Sequence, residues 1–565
     1  MKKIIFIVAA MVIVGIGGYF VFKKPATTPI GKCGDSICDN FEKANPNVCP
    51  ADCLSAQSSQ PAQSSSSRSS NEAIKDGEID ITIDASQSLG KFSPYLFGSA
   101  GSPKPMTSES INLARSAGYK LVITSTQIGD GTKCDDSIIN SRDKQIDELF
   151  KAGIEPMPQF DPLKKPANLD IYAACVKKAG KHLFDKGVRI FRFSNEPDGN
   201  WTDWGKKPNQ SDPIDVAQTY EAWAKALKSV DKSIVIEGPA IMILTEKGQI
   251  ADWVKKFLNY LSEHSVPLDI FSFHIYSASP YEYYKKFNMA KEELRKHKIS
   301  PLYGVPKLGN DEWLMKLGDL WNGSYSEEFD TTWAATAQLN GLINMIEEGA
   351  VLSVPTFGID TEQDTLCHDF LPVSCNGKAK PVFYAFQAFN QLAETNQLKI
   401  SGTDRMNFAA IPGIKELNGE KQIIIILSNY DVSKYWNTYS NAQMNEMIAS
   451  DDGLSGDVKN AQVYGKFELN IRNTPWKSSE IVTAKRYLID DNNAMVLAEK
   501  NGQSITVSND GSVSLSANIS APQVQVIILT PKNKPSLFSL DPVLPTDENY
   551  GKLDIVGKKT FNSKK

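Results

Sequence analysis

The chain has only five histidines in 565 residues, and no two of them stand at metal-ligand spacing, which argues against a catalytic zinc site. Its formal net charge of −5 is small for this length and predicts no nucleic-acid partner. No Gly-x-Gly-x-x-Gly opens a helix after a first strand, which disfavours a dinucleotide-binding fold. No long internal repeat is visible. None of these features calls for a metal or a cofactor.

What is present is ordinary globular material with an unusual start. Apolar residues make up 41% and charged residues 22%, enough to build cores in a chain whose length suggests two to four units. Lys2 and Lys3 precede an uncharged apolar run over 4–22, which is followed by Lys23 and Lys24. That length spans a bilayer and exceeds the apolar core of a cleaved signal peptide. Residues 1–24 therefore read as a transmembrane signal-anchor, with cleaved secretion as the alternative. Either way the remainder is expected outside the cytoplasm, on the cell membrane or secreted.

Cysteine usage agrees with an oxidising compartment. Cys33, Cys38, Cys49 and Cys53 crowd a segment over 30–54, a density that reads as a disulfide module. Asp35, Asp39, Glu42 and Asp52 lie among them, so the module is a plain spacer or a stapled knob that holds calcium through oxygen ligands. Cys367 and Cys375 are close enough in sequence to staple one loop; Cys134 with Cys175 is the remaining pairing. Residues 55–75 are serine-rich and have nothing to bury, so they read as a flexible linker.

Between 95 and 395 the pattern becomes regular. Apolar runs at 95–99, 120–125, 155–160, 188–195, 234–240, 270–276, 302–308 and 351–359 alternate with amphipathic stretches. These stretches, at 108–117, 142–152, 171–185, 214–229, 249–263, 281–297, 332–348 and 381–394, carry apolar residues at helical spacing. Strand-helix alternation of that length fits an α/β fold, a (β/α)8 TIM barrel, better than an open doubly wound sheet. From 396 to 532 short strand candidates separated by Asn, Asp, Gly and Ser predict a β-sandwich. The alternating segment 76–94 is expected to add a strand to that sandwich from the other end of the chain. Residues 533–565 read as a loose tail.

Two strand ends carry candidate chemistry. Residues 190–198 read Ile-Phe-Arg-Phe-Ser-Asn-Glu-Pro-Asp, and the proline stops the fourth strand with Glu196 at its tip. Residues 308–313 read Leu-Gly-Asn-Asp-Glu-Trp and put Glu312 at the end of the seventh. TIM-barrel active sites sit at the C-terminal strand ends, and two facing carboxylates are what cleavage of a glycosidic bond requires. Trp201, Trp204 and Trp313 are candidate sugar-stacking platforms, although Trp201 and Trp204 could equally pack a loop. Tyr281, Tyr283 and Tyr284 open a helix and read as packing.

Asn195-Glu196-Pro197 on strand 4 with Glu312 on strand 7 resembles clan A of the glycoside hydrolases. Within that clan the chain resembles glycoside hydrolase family 39, which includes β-xylosidases, α-L-iduronidase and bacterial exopolysaccharide hydrolases. The resemblance extends over most of 76–530, through Phe-Ser-Phe-His-Ile-Tyr at 271–276, Glu-Gly-Pro-Ala at 237–240, Lys-Pro-Val-Phe-Tyr-Ala at 380–385 and Ala-Lys-Arg-Tyr-Leu-Ile-Asp at 484–490. It implies a retaining hydrolase of oligo- or polysaccharide with Glu196 as acid/base and Glu312 as nucleophile. It also implies that Asn195 holds the substrate 2-hydroxyl and that His274 and Tyr276 sit near the nucleophile, with Tyr276 hydrogen-bonding Glu312. Two positions depart from the pattern: Ser194 stands where tryptophan is common, and Ile123-Thr124 where an arginine supporting the nucleophile is often found. The alternatives are a catalytically inactive barrel that binds carbohydrate, or an endo-glycanase of another clan A family.

Overall fold

Parallel strands buried on both faces need apolar residues at nearly every position, and the runs above supply them. The computed structural model describes residues 77–540, apart from 101–105, 200–210, 300–304, 316–330, 357–378, 433–461 and a few single positions. After β1 (Gly77–Lys91) come the barrel strands β2 (Gly98–Ser99), β3 (Leu121–Ser125), β4 (Glu155–Phe160), β5 (Ile190–Phe193) and β6 (Val235–Ile241). The sixth barrel strand is broken into β7 (Ile270–Phe273) and β8 (Ile275–Ser277), and β9 (Lys307–Met315) and β10 (Ala350–Pro355) complete the set. Helices α1 (Ser108–Ser116), α2 (Asp143–Lys151), α3 (Leu169–Asp185), α4 (Pro213–Val230), α5 (Asp252–Glu263), α6 (Pro280–Leu294), α7 (Thr332–Glu347) and α8 (Pro381–Asn390) alternate with them.

Local chemistry explains where the helices begin. Asn168 caps α3 by accepting from the N–H groups of Asp170 and Ile171, and Asp212 caps α4 from Ile214, with Pro213 at the first helical position. The strands pair in parallel in the order β2-β3-β4-β5-β6-β7-β9-β8, with β10 on β9. The two edges meet where the Ala100 N–H donates to the Pro355 carbonyl at 3.4 Å. Gly98 permits that approach, since a Cβ there would stand 2.6 Å from the Ser353 carbonyl oxygen. Leu121, Ile123, Met157, Ile190, Ile270, Leu352 and Val354 fill the lower barrel interior as one apolar cluster.

The seventh strand departs from expectation. It was expected over 302–308, but it begins at Lys307 and runs to Met315, so Glu312 lies within it and not beyond its end. The irregular register between Asn310 and Trp313 against β10 is a bulge that permits the longer strand.

The C-terminal part also differs in one respect from a two-sheet sandwich. β11 (Asn396–Ser401), β12 (Phe408–Leu417), β13 (Glu420–Asn429), β14 (Tyr464–Arg472), β15 (Ile481–Asp490), β16 (Asn493–Leu497), β17 (Gln503–Thr506), β18 (Val513–Asn518) and β19 (Gln523–Pro531) join β1 in one ten-stranded sheet. The order is β16-β15-β19-β13-β12-β11-β1-β14-β18, with β17 on β15. Val482 on β15 and Val513 on β18, from opposite ends of that order, share one core with Ile79, Ile81 and Ile83. The sheet therefore curls over itself and makes the two layers of a sandwich without a break. β1 lies antiparallel to β11 and parallel to β14.

The loose tail was expected to begin at 533. Instead the Gln422 amide donates to the Pro535 carbonyl at 2.7 Å, and Phe538 and Leu540 are buried in the main core. Their apolar side chains gain more from that burial than the chain loses in freedom. Among the described residues no helix is long and apolar enough to cross a membrane. The anchor 1–24, the module 30–54, the linker 55–75 and both Cys367 and Cys375 lie outside the described residues.

Cys134 and Cys175 form a disulfide that joins the segment after β3 to α3 across a sequence separation of 41. A bridge closing a loop of this length stabilises by about 2–4 kcal/mol. The double variant Cys134→Ser/Cys175→Ser should lose that much in urea unfolding, and an unchanged midpoint would show that the bridge contributes nothing.

Candidate active site

On β5 alternate side chains face the barrel interior, so Ile190 joins the apolar layer and Arg192 stands one layer above it. Parallel register sets Gln159 of β4 and Glu237 of β6 beside Arg192. Phe191 and Phe193 point outward into the helical layer, where Phe193 meets Tyr220 and Trp223. Beyond Phe193 the strand stops, with Ser194 at φ 59° and Glu196 at φ 45°. Such left-handed conformations persist in non-glycine residues only where surroundings fix them. Here the Ser194 N–H donates to the Phe160 carbonyl at 2.7 Å and the Glu196 N–H to the Ala240 carbonyl at 2.8 Å. Asp198 clamps the turn by accepting from the N–H groups of Met242 and Ile243, each at 2.8 Å.

On β9 the bulge turns two consecutive acids, Asp311 and Glu312, toward the same interior. The Tyr276 hydroxyl donates to Glu312 Oε1 at 2.5 Å and lies 3.2 Å from Thr356 Oγ1. His274, in the break between β7 and β8, has Nδ1 2.5 Å from Glu196 Oε1 and 3.9 Å from Glu312 Oε2. Its Nε2 is 3.5 Å from Asp311 Oδ1. One carboxylate oxygen each from Glu196 and Glu312 and a His274 ring nitrogen all lie within 4.8 Å of one another. Glu196 is nearly buried, whereas the Glu312 side chain keeps 28% of its surface open. A cation fitted among these three residues would engage both carboxylates.

Arg192 connects the two strand ends. Its Nε donates to Asp311, one terminal nitrogen donates to Gln159, and the other donates to Asn195 Oδ1 at 2.8 Å. Glu237 is fully buried, 3.9 Å from the Arg192 Nε, and neither of its oxygens has a hydrogen-bond partner of ordinary geometry.

Burial and neighbouring charges divide these groups into distinct proton states. Burial raises Glu196 above the usual carboxylate range, and Glu312 adds to the rise, while the His274 contact and charge pull against it. Burial would lower His274, but the carboxylates of Glu312 and Asp311 outweigh it and hold the imidazole well above its usual value. As a cation His274 donates from both ring nitrogens, which makes its 3.4 Å approach to Arg192 a close contact and not a hydrogen bond. Burial and the charge of Asp311 push Glu237 well up. Burial would raise Asp311 too, but Arg192 and His274 hold it far below the usual range.

The residues expected from sequence fall into three groups. Glu196, Glu312, Asn195, His274 and Tyr276 converge, although His274 hydrogen-bonds the acid/base candidate and only approaches the nucleophile candidate. Trp201 and Trp204 lie outside the described residues. Trp313 is misplaced as a sugar platform: it is fully buried, donates from Nε1 to Ser353 Oγ at 2.9 Å and packs against Tyr283 and Phe386. Alternation resumes after the bulge, so the residue after inward-facing Glu312 faces the helices. Tyr283 is likewise core, while Tyr284 lies under the Arg405 guanidinium. Sequence reading missed Arg192, Asp311, Gln159, Glu237 and Asp198. An arginine at an inward position of an apolar strand was the available signal, since such a residue is almost never fully buried unless paired.

Trp313→Ala should cost about 3–5 kcal/mol of stability as a core cavity. In a sugar-binding assay the folded variant should keep its affinity; a large affinity loss at unchanged stability would restore the platform role.

Residues 174–337 match the family model described as Glycosyl hydrolases family 39, and residues 24–87 match one described as RET, Cysteine Rich Domain. A β-xylosidase from Geobacillus stearothermophilus is 33% identical over 100 residues, which are 17% of this chain and 18% of that protein. The aligned part thus spans less than a fifth of that relative. A glucosidase crystal structure from Croceicoccus marinus has a TM-score of 0.62 at 20% identity, covering 82% of this chain and 100% of that one. A monomeric β-xylosidase from Caulobacter crescentus CB15 gives a TM-score of 0.57 at 16% identity over 80% of this chain and 100% of its own. These two share the fold. The family-model match spans Glu196, His274, Tyr276 and Glu312 together, and the family to which this chain is similar is glycoside hydrolase family 39.

Proposed function

We propose that the protein is a retaining glycoside hydrolase that cleaves oligo- or polysaccharide outside the cytoplasm. The observation that carries the reading is the close approach of Glu196 and Glu312, with carboxylate oxygens within 4.8 Å. Retaining pairs stand about 5–5.5 Å apart, whereas inverting pairs need about 6.5–9.5 Å to admit a water. In the first step Glu196 gives its proton to the glycosidic oxygen while Glu312 attacks the anomeric carbon. The leaving sugar departs with that proton, and a glycosyl ester forms on Glu312. In the second step Glu196, now ionised, takes a proton from water, whose oxygen attacks the same carbon and releases Glu312.

The surroundings suit both halves of that cycle. Burial favours the protonated Glu196 that the first step needs. Esterification removes the charge of Glu312, one of the influences that raise Glu196. His274 then favours the ionised form that the second step needs. The Tyr276 hydroxyl holds Glu312, and in this reading Asn195 at the strand tip contacts the sugar 2-hydroxyl.

Location outside the cytoplasm is supported by the Cys134–Cys175 bridge and by the apolar run at 4–22, read as a single-pass membrane anchor or a cleaved leader. The relative named a β-xylosidase makes β-xylosides the first substrates to try. The rival reading, a barrel that binds sugar without cleaving it, drew on the absent strand-2 arginine. The buried Arg192 guanidinium weakens that argument.

Hydrolysis of an aryl-glycoside panel by the protein tests the reading. Glu312→Gln should abolish turnover. Glu196→Gln should slow substrates with poor leaving groups most, with azide restoring rate on activated ones. Sugar binding without turnover on any substrate would favour the rival.

The proton state of Glu196 gives a separate expectation. Acid catalysis needs Glu196 protonated, so kcat/KM should fall as pH rises through its raised pKa. His274→Phe removes a hydrogen bond and a charge that both lower that pKa. The alkaline limb should therefore move to higher pH, and a limb that stays fixed would show that His274 does not tune the acid.

A further inference from the structure

We infer that Arg192 is a positioning residue that sets the spacing of Glu196 and Glu312 by gripping the residue before each of them. The inference rests on the retaining-hydrolase reading for its catalytic meaning, although the spacing itself can be examined independently. Asn195 immediately precedes Glu196, and Asp311 immediately precedes Glu312. One guanidinium donates to both side chains, and its remaining terminal nitrogen donates to Gln159 on the neighbouring strand. Arg192 is 2% exposed and Asp311 is 1% exposed, so neither group exchanges these contacts for water.

Geometry makes the arrangement rigid. A guanidinium is a planar fork whose donors keep fixed mutual directions. Nε and the two terminal nitrogens reach three different elements: β9, the tip of β5 and β4. No regular strand pairing joins β5 to β9, since β6 and β7 lie between them in the sheet. Arg192 is thus a direct side-chain link across the barrel interior between the two glutamate-bearing strands. His274 completes the frame, with Nδ1 on Glu196 and Nε2 facing Asp311.

Charge balance supports the same role. Arg192 and Asp311 form a buried pair of opposite charges, while Glu237, pushed toward its neutral form, adds volume and polarity without a third full charge. The departure at Ile123-Thr124 fits this picture, because those residues complete β3 with an apolar and a hydroxyl side chain, both buried. An interior arginine enters from strand 4 instead.

Arg192→Lys keeps the charge but loses the fork. Its kcat should fall about 100-fold, the scale on which a misplacement of about 1 Å slows an enzyme, with KM changed less than about threefold. Because an unpaired buried carboxylate can unfold a protein, the double variant Arg192→Met/Asp311→Asn serves as the second arm. It removes both charges together and should fold. Crystal structures of the wild type and the double variant then report the Glu196–Glu312 separation directly. A changed separation with lowered kcat supports the inference. A folded double variant with unchanged separation and kcat within about threefold of wild type overturns it. If the wild type cleaves no glycoside in the panel, the hydrolase reading fails, and the separation in the two structures still decides whether Arg192 positions the pair.

Discussion

A guanidinium buried at the centre of a barrel dictates most of what surrounds it. Moving an ion out of water costs several kcal/mol even after the protein relaxes, and only close, well-directed partners offset that cost. Arg192 has such partners in Asp311, Gln159 and Asn195. The remaining acids must then adjust. Glu237, 3.9 Å from the guanidinium and without a good hydrogen bond, is pushed toward the neutral acid by its burial and then by the charge of Asp311. His274 takes the opposite course and keeps its proton between Asp311 and Glu312. The interior therefore presents one cationic imidazole to Glu196 and Glu312, the two groups whose charges change in the proposed reaction.

Backbone strain is present at the same place. Ser194, Glu196 and Ala240 all have left-handed φ, each costing of order 1–3 kcal/mol. The strained residues hold one another: the Glu196 N–H donates to Ala240, and Asp198 ties the following turn to Met242 and Ile243. A flexible loop could carry the same glutamate without strain, but it would not hold a carboxylate within 4.8 Å of its partner. Rigidity at the fourth strand end and the link through Arg192 act on one quantity, the distance between two carboxylates.

The sequence reveals local patterns well and distant pairings poorly, and the differences follow that line. The helices expected from 108, 214 and 332 begin within one residue of α1, α4 and α7, because apolar periodicity is a local signal. Glu196 is legible because a proline stops the chain beside it just past the end of β5, and Glu312, which lies inside β9, takes its meaning only from Glu196. Trp313 was misjudged because aromatic residues next to a catalytic acid suggest sugar stacking, while simple alternation sends that side chain outward. The seventh strand runs on past Glu312 through a bulge that places two acids on one face, and no single-sequence period anticipates a bulge. Arg192, Gln159, Glu237 and Asp311 come from four strands separated by up to 152 residues, 159 to 311, so only the closed barrel shows that they are neighbours.

The curled sheet bears on the site through one helix. The run 423–427 reads Ile-Ile-Ile-Ile-Leu, which lacks polar alternation because both faces of β13 are buried. Ile423, Ile425 and Leu427 fill the sheet's own core, while Ile424 and Ile426 belong to the barrel's core. The element facing β13 is α7, buried around its whole circumference, a pattern expected only of a helix enclosed on every side. The Ser428 hydroxyl donates to the Thr336 carbonyl, Trp333 Nε1 donates to the Asp431 carbonyl, and Asp491 accepts from Thr332. The Asn344 amide donates to the carbonyls of both Pro280 and Arg405, which joins α6 to the segment entering β12. In chain order α7 lies between β9 and β10, the paired strands that carry Glu312 and close the barrel. The sheet domain thus supplies the far wall of the helix that braces the strand carrying Glu312. Its apolar area is part of what keeps Glu312 in register with Glu196.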